Sequence, residues 1–220
     1  MNPRDARSNM VEQQVRPWDV LDQRVLDVMA EVPRERFLAP EHHGVAFSDF
    51  ELPIGHGQHA LKPNVDGRFL QALALGTTDR VLEIGTGSGW LSACLARLAG
   101  HVETLELIPE LSGSAGDRLS ELGVANVTLR VQDAAADWAA DEAYDAILLS
   151  GSVPEVPAFY RDRLAIGGRL VLVVGSLSQA TMDARLLTRT APDEWFAESL
   201  FETRLTPLAN FSGAPRPFIF

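Results

Sequence analysis

The sequence predicts an α/β domain with a mostly parallel, doubly wound sheet, and three observations carry that prediction. Short apolar runs at Val81–Ile84, Val102–Glu106 and Val127–Val131 alternate with helical patterns over residues 91–98 and 109–122, the rhythm of β-α-β units. The first run leads directly into Gly85-Thr86-Gly87-Ser88-Gly89 and a helix, the form of a nucleotide cradle. The chain has 220 residues and is 46% hydrophobic, which suffices for one sizeable core and not for two full domains.

Upstream of the glycine turn, Met10 to Val32 carries Val20, Leu21, Val25, Val28 and Met29 at helical spacing and predicts one or two helices. Pro17 before Trp18 predicts a break between Val11–Val15 and a helix beginning near Asp19. Two placements stay open for these helices: capping a ligand pocket or packing on a sheet edge. The stretch from Asp49 to Lys62, rich in glycine and histidine, reads as a loop ahead of the sheet. A further helix opens at Pro63 and runs through Val65, Phe69, Leu70 and Leu73 to Gly76.

The glycine turn suits close approach of backbone to a ligand, and Gly85, Thr86, Gly87 and Gly89 are the candidate contacts. A dinucleotide fingerprint would place its third glycine one residue later, where Trp90 stands. Glu83 would repel a pyrophosphate but can accept from, or pair with, a ligand ammonium. S-adenosylmethionine has such an ammonium, a cationic sulfonium and no phosphate. The next strand ends at Glu106, with Leu107 beside it, where a doubly wound sheet usually holds ribose hydroxyls. After a helix over Pro109 to Leu122, stopped by Gly123, the strand Val127–Val131 runs into Gln132-Asp133-Ala134, where Asp133 can accept from an adenine amino group. One such carboxylate is compatible with a solvated strand end, whereas three at successive strand ends point to a ligand.

These features together resemble the class I S-adenosylmethionine-dependent methyltransferases along most of the chain. Within that class, Val32-Pro33-Arg34-Glu35-Arg36-Phe37, Leu52-Pro53-Ile54-Gly55-His56-Gly57-Gln58 and Val81 to Gly89 are similar to protein-L-isoaspartate O-methyltransferases. The resemblance implies a Rossmann-like, seven-stranded, mostly parallel sheet with an antiparallel C-terminal strand and extra N-terminal helices. Tyr144–Leu149 and Leu164–Gly175 look like its fourth and fifth strands, with Gly167-Gly168 as the turn between them. Asp183–Thr190 and Trp195–Leu205 look like antiparallel strands closing the sheet, and Pro207, Pro215 and Pro217 mark an irregular tail. The implied organisation is one domain over residues 1–220, with N-terminal helices and a substrate loop in 1–62 and the cofactor-binding core in 63–220.

The implied reaction is carboxyl O-methylation of isoaspartyl residues in a damaged protein or peptide, with S-adenosylmethionine as cofactor and S-adenosylhomocysteine as product. A carboxylate acceptor is already ionised at neutral pH, so no catalytic base is required, and alignment is the main task. The candidate acceptor loop comprises Gln58, His59, Leu61 and Lys62. In the family this segment continues to a serine whose hydroxyl helps hold the substrate carboxylate, and the corresponding residue is Leu61. Leucine donates no hydrogen bond, and losing such a contact costs about 1 to 3 kcal/mol. His59, through a ring nitrogen, or Lys62, through its charge, is a candidate replacement. Two alternatives follow from Leu61: a methyltransferase with another acceptor, including an unidentified small molecule, or an inactive S-adenosylmethionine-binding sensor or interaction protein.

Nineteen basic against thirty acidic side chains give a formal net charge of -11, which opposes capture of nucleic acid or anionic lipid. Arg34 and Arg36, like Arg161 and Arg163, read as solvated helix faces. Cys94 is the only cysteine, so no disulfide forms within the chain, and its helical surroundings predict a core residue. The polar opening over Met1–Met10, without any apolar run of spanning length, predicts a cytoplasmic location and no membrane contact. The five histidines form no metal set, since His42-His43 are adjacent, His101 is remote and His56-x-x-His59 has no third ligand. Nothing in the sequence specifies an oligomeric state.

Overall fold

The computed structural model describes residues 2–135 and 143–211. The elements run α1 (Pro3–Met10), α2 (Gln23–Glu31), β1 (Leu52–Gly55), β2 (Gln58–Ala60), α3 (Pro63–Leu73), β3 (Arg80–Ile84), α4 (Trp90–Leu98), β4 (His101–Glu106), α5 (Pro109–Glu121), β5 (Val127–Val131), β6 (Tyr144–Val153), α6 (Ala158–Asp162), β7 (Leu164–Val174), β8 (Met182–Ala191) and β9 (Glu194–Thr203). Seven strands form one sheet in the order β5-β4-β3-β6-β7-β8-β9. The first five are parallel, and β8 and β9 are each antiparallel to the strand before. The expected α/β architecture is therefore present, closed by two antiparallel strands.

Both faces of the sheet are covered, which explains why its inner strands read as continuous apolar runs. Along β3 the alternation sends Val81 into a cluster with Phe69, Leu70 and Cys94, and Leu82 and Ile84 into a cluster with Tyr160 and Leu170. Cys94 is fully buried, as expected. The first cluster also takes Met10, Val15, Val20, Leu26 and Met29, so the N-terminal helices share the apolar core. They pack mainly on α3 and α4, and the segment that follows α1 also reaches the edge strand β9, where Trp18 meets Phe201.

Several boundaries differ from expectation for local reasons. The chain continues past α1 through a π-helical turn at Val11–Val15 and a 3-10 turn ending at Trp18, and Asp19 then takes left-handed backbone. Helix α2 therefore starts only at Gln23, where Asp22 caps it by accepting from the Arg24 N–H at 2.9 Å. Helix α3 stops at Leu73 rather than Gly76, because Ala74 adopts φ +45. Gly167-Gly168 is not the turn between the fourth and fifth parallel strands. It lies inside β7 as an irregularity opposite Tyr144–Ala146, and the connection is made by α6. The Asp49–Lys62 loop contains the hairpin β1-β2. Pro215 and Pro217 lie outside the described residues. No helix among the described residues is long and apolar enough to cross a membrane.

Gly67 is where α3 admits the N-terminal segment, because a Cβ there would meet Val15 Cγ1 at 2.7 Å and Met29 Sδ at 3.2 Å. Gly113 on α5 is exposed, with nothing within 4 Å of such a Cβ. Urea unfolding is expected to show Gly67→Leu destabilised by about 1–3 kcal/mol through overpacking. Gly113→Ala should gain roughly 0.5–1 kcal/mol from reduced backbone entropy in the unfolded chain. Equal effects at the two sites would refute the close packing at Gly67.

Candidate active site

Strand β3 has β4 on one side and β6 on the other, so the winding direction reverses at its carboxyl end. Ligand crevices in open α/β sheets form at such switch points. A cavity opens there, lined by the glycine turn, Glu106 to Ile108, Gln132 to Ala134 and Ser150-Gly151, with the β1-β2 hairpin forming a further wall. The C-terminal segment closes another side. Leu208 N–H donates to the Ser152 carbonyl at 2.9 Å and Ser152 N–H to the Thr206 carbonyl at 3.1 Å, which brings Thr206, Pro207, Leu208 and Phe211 into the lining.

The turn is built by close contacts that exclude side chains. Gly85 has φ +91, and a Cβ on it would lie 2.4 Å from Ser150 Oγ. That hydroxyl sits 2.8 Å from the carbonyl oxygens of both Ile84 and Gly85 and donates its proton to them. Gly87 N–H donates to Glu106 Oε2 at 2.9 Å, and Ile108 N–H donates to Oε1 at 3.1 Å. Glu106 is thus fixed at the cavity wall with acceptor capacity to spare, which suits a vicinal diol. Asp133 is similarly placed, accepting from Ala135 N–H at 3.0 Å and from Asn210 Nδ2 at 2.9 Å.

The cavity brings together Gly85, Thr86, Gly87, Glu106, Leu107, Asp133 and Ala134 of the expected cofactor set. Glu83 and Gly89 are not in the lining. Strand alternation turns Glu83 toward α4, where it is fully buried, accepts from the Ser92 hydroxyl and leaves Oε1 without a partner among the described residues. Burial pushes its carboxyl up to about 8, so it is a neutral acid beneath the cradle at pH 7. A direct ion pair between Glu83 and a ligand ammonium is therefore not the arrangement seen. Gly89 instead lets α4 meet α5, since a Cβ there would lie 3.0 Å from Ala115 Cβ.

Of the acceptor candidates, Gln58, His59 and Leu61 line the cavity. Lys62 does not, because it occupies the N-cap position of α3. Arg34 is the largest departure. Expected on a solvated helix face, it is 1% exposed, stacked 4.5 Å over the Trp90 ring and paired with Asp66 at 3.2 Å. Both Arg34 and Asp66 line the cavity. Spacing alone could not flag either one, since an arginine in a charged hexapeptide looks like a surface residue. Ser150 and Gly151, inside β6, and the Thr206–Phe211 wall carry no motif of their own, and a coil crossing over strand ends such as the latter leaves no periodic signal.

The lining fits S-adenosylmethionine. Two carboxylates at strand ends, Glu106 and Asp133, leave acceptors for hydroxyl and amino groups, and the backbone can approach through Gly85 and Gly87. The turn residues Gly85 to Gly89 include no lysine or arginine to bind a pyrophosphate, Arg118 reaching only the Ser88 carbonyl from outside the described lining.

The chain matches the family described as Protein-L-isoaspartate(D-aspartate) O-methyltransferase over residues 5–212. Protein-L-isoaspartate O-methyltransferase 1 of Rhodopseudomonas palustris (strain HaA2) is 41% identical over 215 residues, covering 96% of this chain and 87% of the relative. A protein-L-isoaspartate O-methyltransferase of Anaeromyxobacter dehalogenans (strain 2CP-C) is 42% identical over 196 residues, covering 89% and 93%. A crystal structure from Plasmodium falciparum, described as a protein-L-isoaspartate O-methyltransferase in complex with S-adenosyl-L-homocysteine, shares the fold at TM-score 0.78 and 19% identity, covering 92% of this chain and 97% of that one.

The raised Glu83 carboxyl makes a prediction about stability. A group protonated in the fold up to about 8, but ionised in the unfolded chain above the ordinary glutamate range, makes the native state bind more protons than the unfolded state. Its contribution to stability therefore falls as pH rises between about 4.5 and 8, by at most about 1.4 kcal/mol per pH unit. Denaturant unfolding across that interval should show a flatter profile for Glu83→Gln than for the wild type, with the variant gaining most, relative to the wild type, near pH 8. Parallel profiles would show that Glu83 is ionised in the fold.

Proposed function

Because the chain belongs to the protein-L-isoaspartate(D-aspartate) O-methyltransferase family, we propose that it transfers a methyl group from S-adenosylmethionine to the free carboxylate of isoaspartyl residues in damaged proteins or peptides. The observation that carries the cofactor half of this reading is Glu106, held by two backbone N–H groups at the end of β4 and facing the same cavity as Asp133. In this reading Glu106 accepts from the ribose hydroxyls, Asp133 accepts from the adenine amino group, and the backbone at Gly85 and Gly87 passes close to the methionyl portion. Bound S-adenosylmethionine supplies a methyl group activated by its sulfonium.

The chain's own contribution is positioning. Gln58 and His59 of the hairpin and Leu61 just after it line the same cavity as the glycine turn, which makes them the proposed acceptor wall, where orientation of a carboxylate oxygen is the main requirement. Ile54, Ala60, Leu61, Trp90 and Leu91 make that region apolar, which favours exclusion of water around the reacting atoms. A carboxylate acceptor would be ionised at neutral pH, so the cavity residues need supply no general base. Another acceptor, or an inactive binding protein, is suggested by Leu61 alone, and no feature of the cavity favours either.

Calorimetry with S-adenosylmethionine, followed by methyl transfer to an isoaspartyl peptide and to its ordinary aspartyl counterpart, tests this reading. Transfer to the first and not the second is expected. Absence of cofactor binding would refute the cofactor assignment, and binding without transfer would refute the acceptor. Leu61→Ser is expected to raise kcat/KM for the isoaspartyl peptide roughly tenfold, the value of one regained hydrogen bond of about 1.4 kcal/mol.

A further inference from the structure

The cavity poses an electrostatic problem for a carboxylate acceptor. Glu51, Asp66, Glu106 and Asp133 line it, the chain carries a formal net charge of -11, and among the described residues Arg34 is the one lysine or arginine in the lining. A substrate carboxylate entering such a site needs a cation or a set of donors to offset repulsion and desolvation. The hydroxyl expected from the family is absent at Leu61, and Lys62 lies outside the lining.

Arg34 is held for such a task. Its Nε donates to the Ala46 carbonyl at 3.0 Å, Nη1 to Asp66 Oδ2 at 3.2 Å and Nη2 to the Leu61 carbonyl. A guanidinium has five N–H groups, so one on each terminal nitrogen has no acceptor among the described residues. The guanidinium carbon sits 4.5 Å over the Trp90 ring, and the Leu61 contact puts the guanidinium edge at the residue where the family places its carboxylate-binding hydroxyl.

From this geometry we infer that Arg34 binds the acceptor carboxylate, with Asp66 as the internal carboxylate that competes for the same guanidinium. The inference rests on the isoaspartyl reading above and deepens it by naming the specificity-determining cation. Substrate and Asp66 are two anions for one cation, so binding is tighter when Asp66 is protonated. Burial raises the Asp66 carboxyl to about 7, which places the competition near neutral pH. The other ionisable groups around the pair are Cys94 on α4, whose thiol burial pushes well up, and Glu83 on β3. His59 and Glu51 share the cavity lining.

The test is the KM of an isoaspartyl peptide, capped at both ends so that only the acceptor carboxylate titrates, measured between about pH 6 and 8.5. S-adenosylmethionine affinity is followed in parallel by calorimetry. In the wild type the peptide KM should rise roughly tenfold per unit as pH climbs through the Asp66 titration and then level off, while cofactor affinity stays constant. Asp66→Asn should flatten the profile at the low-pH value, and His59→Gln should keep the wild-type slope. Arg34→Met should raise peptide KM at least tenfold without weakening cofactor binding, with Arg34→Lys restoring part of the loss. A flat wild-type profile, an Asp66→Asn profile that keeps the slope, or a slope lost in His59→Gln would overturn the role of Arg34. The wild-type profile decides the matter even where a buried variant fails to fold. Cofactor binding without any methyl transfer to the peptide would instead overturn the isoaspartyl reading itself.

Discussion

The contact between Ser150 and the carbonyls at the end of β3 is the constraint on which the site depends. A parallel strand in the middle of a sheet must end abruptly for the chain to climb onto the helix layer, and its last carbonyls need partners. Ser150, projecting from neighbouring β6, supplies one hydroxyl to both Ile84 and Gly85. The approach leaves no room for a Cβ at Gly85 and holds its backbone in the left-handed region. From that bend follow the delivery of Gly87 N–H to Glu106 and the start of α4 at Trp90. The same strand end admits the C-terminal segment, since a Cβ at Gly151 would meet Leu208 and the Thr206 carbonyl at 2.9 Å.

Behind the turn lies an unusual concentration of buried ionisable groups. Glu83, Asp66 and Arg34 are almost completely buried, and burial raises both carboxyls, with the charges of Asp66 and Glu106 raising that of Glu83 further. Desolvating such groups costs several kcal/mol per ion, and an ion pair such as Arg34 with Asp66 rarely returns a net gain over an apolar pair of similar size. Stability alone therefore gives no reason for the pair. A site that must receive a cationic cofactor and an anionic acceptor does, because each needs a fixed charge environment in a region shielded from water.

Sequence patterning made the sheet legible and left much of the site hidden, for a physical reason. Strands buried on both faces and glycines with no space for a Cβ constrain residue type over consecutive positions, so β3 to β5 and the cradle could be located to within a residue or so. Carboxylates at strand ends pointed to Glu106 and Asp133, both of which line the cavity. Side-chain direction was less accessible: Glu83 belongs to the same motif, yet strand alternation turns it under the floor. Arg34, Asp66 and the Thr206–Phe211 wall meet only through tertiary packing between segments more than thirty residues apart, and no local spacing encodes that meeting. Gly167-Gly168 misled because paired glycines mark turns and strand irregularities alike.

The two halves of the site come from different parts of the chain, and their junction bears on how alignment is achieved. The proposed cofactor half consists of strand ends within the sheet, of which those of β3, β4 and β6 are held by paired neighbours on both sides. The proposed acceptor half is a two-stranded hairpin outside that sheet, and an isolated hairpin is at best marginally stable. Arg34 joins them: it bonds the carbonyl of Leu61 at the end of the hairpin and the carboxylate of Asp66 on α3, and it stacks on Trp90, the first residue of the helix that leaves the glycine turn. A methyl transfer that relies on orientation tolerates little relative motion between donor and acceptor walls. One buried guanidinium touching both walls restrains that motion while offering the charge that an acceptor carboxylate requires.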